Sequence, residues 1–121
     1  MAKLDIGKEF NDEPSGRFYT DGPGSGEEFR EEYLRKMLKG LGCNEKLTII
    51  LDNNVDGFGS SFLVEGFAGV VKYGYMQPNK LLESLEFRFE DPDFEFYKSK
   101  IIQYISEAEF NSEVYEPTKK G

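Results

Sequence analysis

Ser60 and Ser61 stand side by side in the stretch DGFGSSFLVEGFAGVV, residues 56–71, directly after Gly59. Adjacent serines behind a glycine, where an apolar strand gives way to a helix, suit three kinds of chemistry. One is capping, in which a hydroxyl accepts from an unpaired N–H of the first helical turn. A second is phosphorylation. A phosphate there would lie at the positive end of the helix dipole and would add about two negative charges. The third is nucleophilic attack, which needs a base. The chain has no histidine, so Ser–His and Cys–His catalysis and histidine-ligated zinc are excluded within one chain. A lysine base would have to come from Lys72 or from a residue distant in sequence. The chain therefore reads as non-enzymatic.

Other polar residues invite similar questions. Gly22, Gly24 and Gly26 precede a helix in DGPGSGEE, residues 21–28. The stretch is neither a P-loop nor a dinucleotide fingerprint, and its two glutamates would repel an anion. It reads as a turn with a cap, or as a loop that touches a partner. Arg17, Asp21, Arg30, Glu31 and Asp52 admit two readings. They form an ion-pair network that orders a long loop, or a polar pocket beside Ser61 in which an arginine receives a phosphate or a partner's carboxylate. Asp52 ends an apolar strand, the edge where ligands of open α/β sheets sit, and it can also hydrogen-bond the loop above it. Asp52, Asp56 and Glu65 match no established metal-binding loop, so no metal or other cofactor is expected. Phe62 is the aromatic side chain expected to be exposed, and hence to meet a partner.

These residues need elements to hold them. KLDIGKEF (3–10) and RFYT (17–20) read as two short strands, joined by NDEPSG as a hairpin. Ser25 sits three residues before Glu28, the capping-box spacing. The helix that follows, GEEFREEYLRKMLKG, carries acids early and bases late, in keeping with its dipole. Phe29, Tyr33, Leu34, Met37, Leu38 and Leu41 form its apolar stripe. KLTIILD (46–52) reads as a central strand buried on both faces of a partly parallel sheet. Phe62, Leu63, Gly66, Phe67, Val70 and Val71 recur at helical spacing, which predicts a buried helix over 60–73. Gly66 and Gly69 lie one turn apart and would let the sheet pack close. LLESLEFRFE (81–90) holds a strand, best placed at 84–90. Asp91 and Pro92 then open a last helix. Residues 111–121 read as a loose, flexible tail after a domain of residues 1–110. The resulting order is β-β-α-β-α-β-α, a single α/β domain with a mixed central sheet of about four strands.

Composition narrows the partners. At 121 residues the chain suits one domain with a core of its own. Eleven Phe and seven Tyr argue against disorder. A net charge of −8 disfavours nucleic acid and anionic membrane surfaces. Cys43 is alone, which fits a reducing, cytoplasmic setting. No apolar run approaches the ~20 residues that span a bilayer, and MAKLDIGKEF lacks the apolar centre of a signal peptide.

Two separated motifs add a resemblance. GRFYTDGPGSGEEFREEYL (16–34), followed by LDNNVDGFGSSFLVEGFAGVV (51–71), resembles the STAS-like DUF4325 family over most of residues 3–108. The resemblance implies the fold of anti-sigma-factor antagonists. Those proteins switch when an ATPase-like kinase phosphorylates a serine at the start of the helix after a central strand. It also implies a protein partner, of the histidine-kinase-like ATPase type. Superposing the helix starts puts Ser61 on the acceptor position and Ser60 beside it. Here Gly59 stands for the antagonists' acid and Phe62 for their glycine.

The expected function is thus a cytoplasmic, STAS-like regulatory and protein-interaction domain. Its contact surface is loop 21–26 and the start of helix 60–73, with Arg17, Asp21, Ser25, Arg30, Asp52, Gly59, Phe62 and Glu65 at or near it. Ser61 and Ser60 are the candidate phosphate acceptors. The alternative is a small-ligand or nucleotide-binding domain that uses the same helix start.

Overall fold

The computed structural model describes residues 2–119. Three strands, β1 (Ala2–Asp5), β2 (Leu47–Ile50) and β3 (Leu85–Arg88), form one sheet with β2 in the centre. Both pairings are parallel, with Leu4 opposite Ile49 and Ile49 opposite Phe87. Helical segments connect the strands, as parallel pairing requires. Helix α1 covers 26–39 and α2 covers 60–72. A short α3 (Pro78–Ser84) precedes β3, and α4 (Glu95–Glu107) follows it. The α/β class is as expected, but the sheet is a three-stranded parallel one rather than a mixed sheet of about four strands.

The expected hairpin is absent, and its residues show why. The first strand stops at Asp5, whose carboxylate accepts the Lys8 N–H (3.1 Å) and caps a wide helical turn, Ile6–Phe10. Glu9 accepts the Asp5 N–H (2.8 Å) in return. Residues 17–20 do not pair as a strand. The Arg17 and Phe18 N–H groups donate to one oxygen of Asp21 (3.0 and 2.9 Å), and Tyr19–Asp21 closes as a 3-10 turn. Local side-chain acceptors take the donors that a strand would have offered to a neighbour.

Helix α1 starts as the sequence predicts. Ser25 Oγ accepts the Glu28 N–H (3.2 Å). The Glu28 carboxylate turns back to the Gly24 N–H (3.1 Å) rather than to Ser25 itself. Both α1 and α2 widen to π-type turns midway, at Arg30–Leu34 and Val64–Ala68. Such turns are rare inside α-helices and recur at functional sites. Here the first opens on Arg30 and the second contains Glu65.

The core lies between one sheet face and the helices. Leu4, Leu47, Ile49 and Leu85 face Phe29, Phe62, Phe67, Val71, Ile101 and Ile105 across it. The alternate residues Lys3, Glu86 and Arg88 are exposed. Thr48 is nevertheless buried between its register partners Lys3 and Glu86, and donates to Glu86 (3.3 Å). Among the described residues no helix is long and apolar enough to cross a membrane.

The glycines of α2 serve α1, not the sheet. A Cβ on Gly66 would meet the Phe29 ring at 3.2 Å, and one on Gly69 would meet Arg30 Nη1 at 2.7 Å. On the facing helix, a Cβ on Gly26 would meet the Phe62 carbonyl oxygen at 2.7 Å. Absent side chains thus let two helices approach and leave a slot for a guanidinium. Gly69→Ala is expected to destabilise by about 1–3 kcal/mol, because the Arg30 side chain must shift within a closed slot. Urea denaturation would read this directly.

The segment after α4 lies back on α2. Asn111 and Glu113 N–H groups donate to the carbonyls of Val71 (2.9 Å) and Lys72 (3.1 Å).

Candidate functional site

Residues 16–18 and 21 come from the long loop before α1, and 59–61 from the start of α2. Gly16, Arg17, Phe18, Asp21, Gly59, Ser60 and Ser61 line one open cleft. Two stretches about forty residues apart in sequence thereby share a surface. Asp21 is fixed at its mouth by the Arg17 and Phe18 N–H groups. The Phe18 and Arg17 donors hold its carboxyl below the ordinary range.

The serines differ from the capping reading. Gly59, in extended conformation, occupies the N-cap position, and no side-chain hydrogen bond closes that turn. Ser60 is the first residue of the helix and is exposed; Ser61 is half-buried. Ser60→Ala should therefore change stability by under about 0.5 kcal/mol. A true serine cap would lose about 1 kcal/mol. Chemical denaturation separates the two.

Beneath the cleft lies a buried ion pair. Arg30 is 0% exposed and Glu65 1%. Arg30 Nη1 donates to the Glu65 carboxylate (2.9 Å) and to its backbone carbonyl (2.8 Å). Arg30 Nε donates to Glu31 (2.8 Å), and Glu31 also accepts from Arg35 (2.7 Å). Burial pulls the Arg30 pKa down, and Glu31 and Glu65 more than restore it. Tyr73 donates to the same Glu65 oxygen as Arg30 (2.6 Å). The other oxygen, Glu65 Oε1, has no hydrogen-bond partner. Arg17 Nη1 lies 3.9 Å from it. Arg17 is 40% exposed, so one arginine lines the cleft and leans on the buried carboxylate.

The other candidates lie elsewhere. Phe62, expected at the surface, is 0% exposed. Its ring packs against Phe29 (5.4 Å between centroids), Phe58 (5.8 Å) and Phe10 (6.1 Å). The helical turn places it on the α1 side, so it supports the cleft from within and cannot touch a partner. Ser25 is buried at its cap. Within loop 21–26 only Asp21 and Pro23 are exposed, while Gly24, Ser25 and Gly26 are buried, which narrows the expected contact surface. Asp52 lies in a different depression, with Asp5, Asn53, Arg88 and Glu90. Its carboxylate accepts the Glu90 and Asp91 N–H groups (2.7 and 2.8 Å) and so ties down the loop after β3. Among the described residues, no three acidic or cysteine side chains gather as a metal site.

Sequence reasoning missed Glu27, Tyr73, Tyr115 and Thr118. Glu27 reads as a dipole-matching surface acid, yet it is fully buried. It accepts from Tyr19 N–H (3.0 Å), Tyr115 O–H (2.6 Å), Thr118 N–H (3.0 Å) and Thr118 O–H. Tyr115 and Thr118 lie about ninety residues away, where local pattern carries no signal. Comparison with known protein families, curated proteins and solved structures finds no match for this chain.

Proposed function

We propose that this chain is a STAS-like, cytoplasmic regulatory domain that works by binding a protein partner. Its contact surface is the cleft between residues 16–21 and Gly59–Ser61, and Ser61, with Ser60 beside it, is the phosphorylation-sensitive position. The observation that carries this reading is the convergence of Arg17, Asp21 and both serines on one open surface. The motifs that bear the family resemblance are the same two stretches. A partner of the histidine-kinase-like ATPase type follows from that resemblance.

The electrostatics make such a switch effective. Arg17 is the cation of the cleft and already faces Glu65 Oε1 at 3.9 Å. A partner carboxylate would complete its hydrogen bonding as a charge-assisted pair. A phosphate on Ser61 would bring about two negative charges to the same place. It would occupy Arg17 and the free N–H groups of the first turn, and it would repel the incoming carboxylate. Binding and phosphorylation would then exclude one another.

A photo-crosslinking residue placed at Ser15, exposed and beside Gly59 of the cleft, tests this in the source cell. The expected product is a crosslink to an ATPase-type protein that disappears with Arg17→Ala and with Ser61→Asp. Absence of any protein crosslink, together with a nucleotide-dependent rise in melting temperature, would overturn it in favour of a nucleotide-binding domain at the same helix start.

A further inference from the structure

Residues 115–119, Tyr-Glu-Pro-Thr-Lys, lie over a patch of buried charge rather than over a hydrophobic core. Glu27, 0% exposed, takes three of its four hydrogen bonds from Tyr115 and Thr118. The Arg30 guanidinium lies between two phenol rings, Tyr73 at 4.6 Å and Tyr115 at 4.8 Å. Tyr115 is thus one wall of a cation cage whose other wall belongs to the domain. Lys119 reaches Glu32 (3.6 Å) and the Tyr19 ring (5.6 Å). The segment has no helix or strand of its own, and Val114 beside it is 87% exposed. Even with the segment seated, Arg30 Nη2 is buried without a hydrogen-bond partner, a spare donor among the groups that Tyr115 covers.

This is how a groove holds an extended peptide: few anchor side chains, charge-assisted hydrogen bonds, and little apolar burial. We propose that Glu27, Arg30, Tyr73, Tyr19 and Glu32 form a peptide-binding groove that residues 115–119 occupy in cis. Its ligand class is an extended segment of another protein that presents a tyrosine, a hydroxyl residue three positions later, and then a lysine or arginine. The tyrosine closes the cage on Arg30, the hydroxyl residue donates its O–H and N–H to Glu27, and the cation meets Glu32. This groove is separate from the serine cleft. It predicts competition: the cis segment must leave before a partner segment binds.

A fluorescently labelled peptide of residues 111–119 tests the proposal on the full chain. Anisotropy should show the Tyr115→Ala/Thr118→Ala chain, whose groove is vacated, binding the peptide at least about tenfold tighter than the unmodified chain, where the cis segment competes at high effective concentration. Glu27→Gln in that variant should weaken binding about tenfold again. Equal binding by both chains, or none to a variant that retains its far-UV circular dichroism, would overturn the groove. Should the variant fail to fold, hydrogen exchange on the unmodified chain decides. A Thr118 amide that exchanges about 100-fold faster than Phe67 in α2 supports a releasable segment, because local opening lies below global unfolding in free energy. Equal protection of the two amides would make the segment an integral part of the fold and contradict the proposal.

Discussion

Arg30→Ala is expected to cost about 3–5 kcal/mol, a large fraction of the roughly 5–15 kcal/mol that keeps a domain folded. The reason is what remains behind. Glu65 would stay at 1% exposure with Tyr73 as its hydrogen-bond donor and Arg17 at 3.9 Å. Glu31 would lose the Nε donor, and the slot provided by Gly69 would be empty. A buried carboxylate stripped of its partner is more costly than the pair was worth. Arg30→Met combined with Glu65→Gln removes both charges at similar volume, and should therefore recover part of the loss. Urea melts of the single and double variants measure it. A loss under about 1 kcal/mol for Arg30→Ala would mean that water or Arg17 rescues Glu65, and the buried pair would not organise the two helices.

The second large effect is alkaline. Tyr19, Tyr73, Tyr75 and Tyr115 all have phenols raised above the ordinary value of 10. Burial is the main cause in each, reinforced by the carboxylates they face: Glu32, Glu65, Glu31 and Glu27 respectively. A phenol whose pKa is raised by folding contributes stability that is fully present below its unfolded pKa. That stability is lost as pH rises above about 10. Each such phenol adds up to about 1.4 kcal/mol per pH unit to the slope, over a window shortened by screening at these partly exposed sites. Several together should make stability fall steeply above pH about 10. Tyr115 lies on the segment proposed above to be releasable, so its ionisation should accompany release of that segment. Tyrosinate absorbance followed against hydrogen exchange would show release of residues 111–119 before global unfolding. A single titration step at the free-phenol value, with no change in stability, would contradict this. Glu27 behaves in the opposite sense. Burial alone would raise its pKa, but the Thr118, Tyr115 and Tyr19 donors hold it below the ordinary carboxylate range. Its contribution is therefore complete above pH about 4.5 and is lost only as pH falls through the lowered value.

Much of the architecture is legible in local chemistry. The Ser25 cap, the acid-to-base gradient and the apolar stripe mark α1, and helical spacing marks α2. The β-branched run at 47–50 marks the central strand. The first twenty residues are not legible in that way. Alternation in KLDIGKEF suggests a strand, but Asp5 and Glu9 divert its backbone donors into a wide turn, and Asp21 does the same for Arg17 and Phe18. Helix α3 is not among the expected elements, although Pro78 stands in its first turn. The apolar residues after it merge with those of β3 and hide the boundary. The glycine pair of α2 correctly implies close approach, but nothing local says that a neighbouring helix and its arginine would fill the space. For the candidate site, residue types identify Arg17, Asp21, Ser60 and Ser61 as worth following, and the fold brings them to one cleft. Phe62 fails because one residue of helical phase decides between surface and core. Tyr115 and Thr118 are invisible for a different reason. They are polar residues in a polar stretch, and their meaning lies in a carboxylate on the far side of the chain.

The reading of the cleft as a switch rests on the chemical fate of two serines. Intact mass of the protein purified from its source cells, followed by peptide mapping, tests it most directly. The expected result is a phosphate-sized increment mapped to Ser61, or to Ser60 beside it, in at least one growth condition. Both serines unmodified in every condition, in protein recovered with a partner still bound at Arg17, would contradict the switch and leave the cleft a constitutive binding surface.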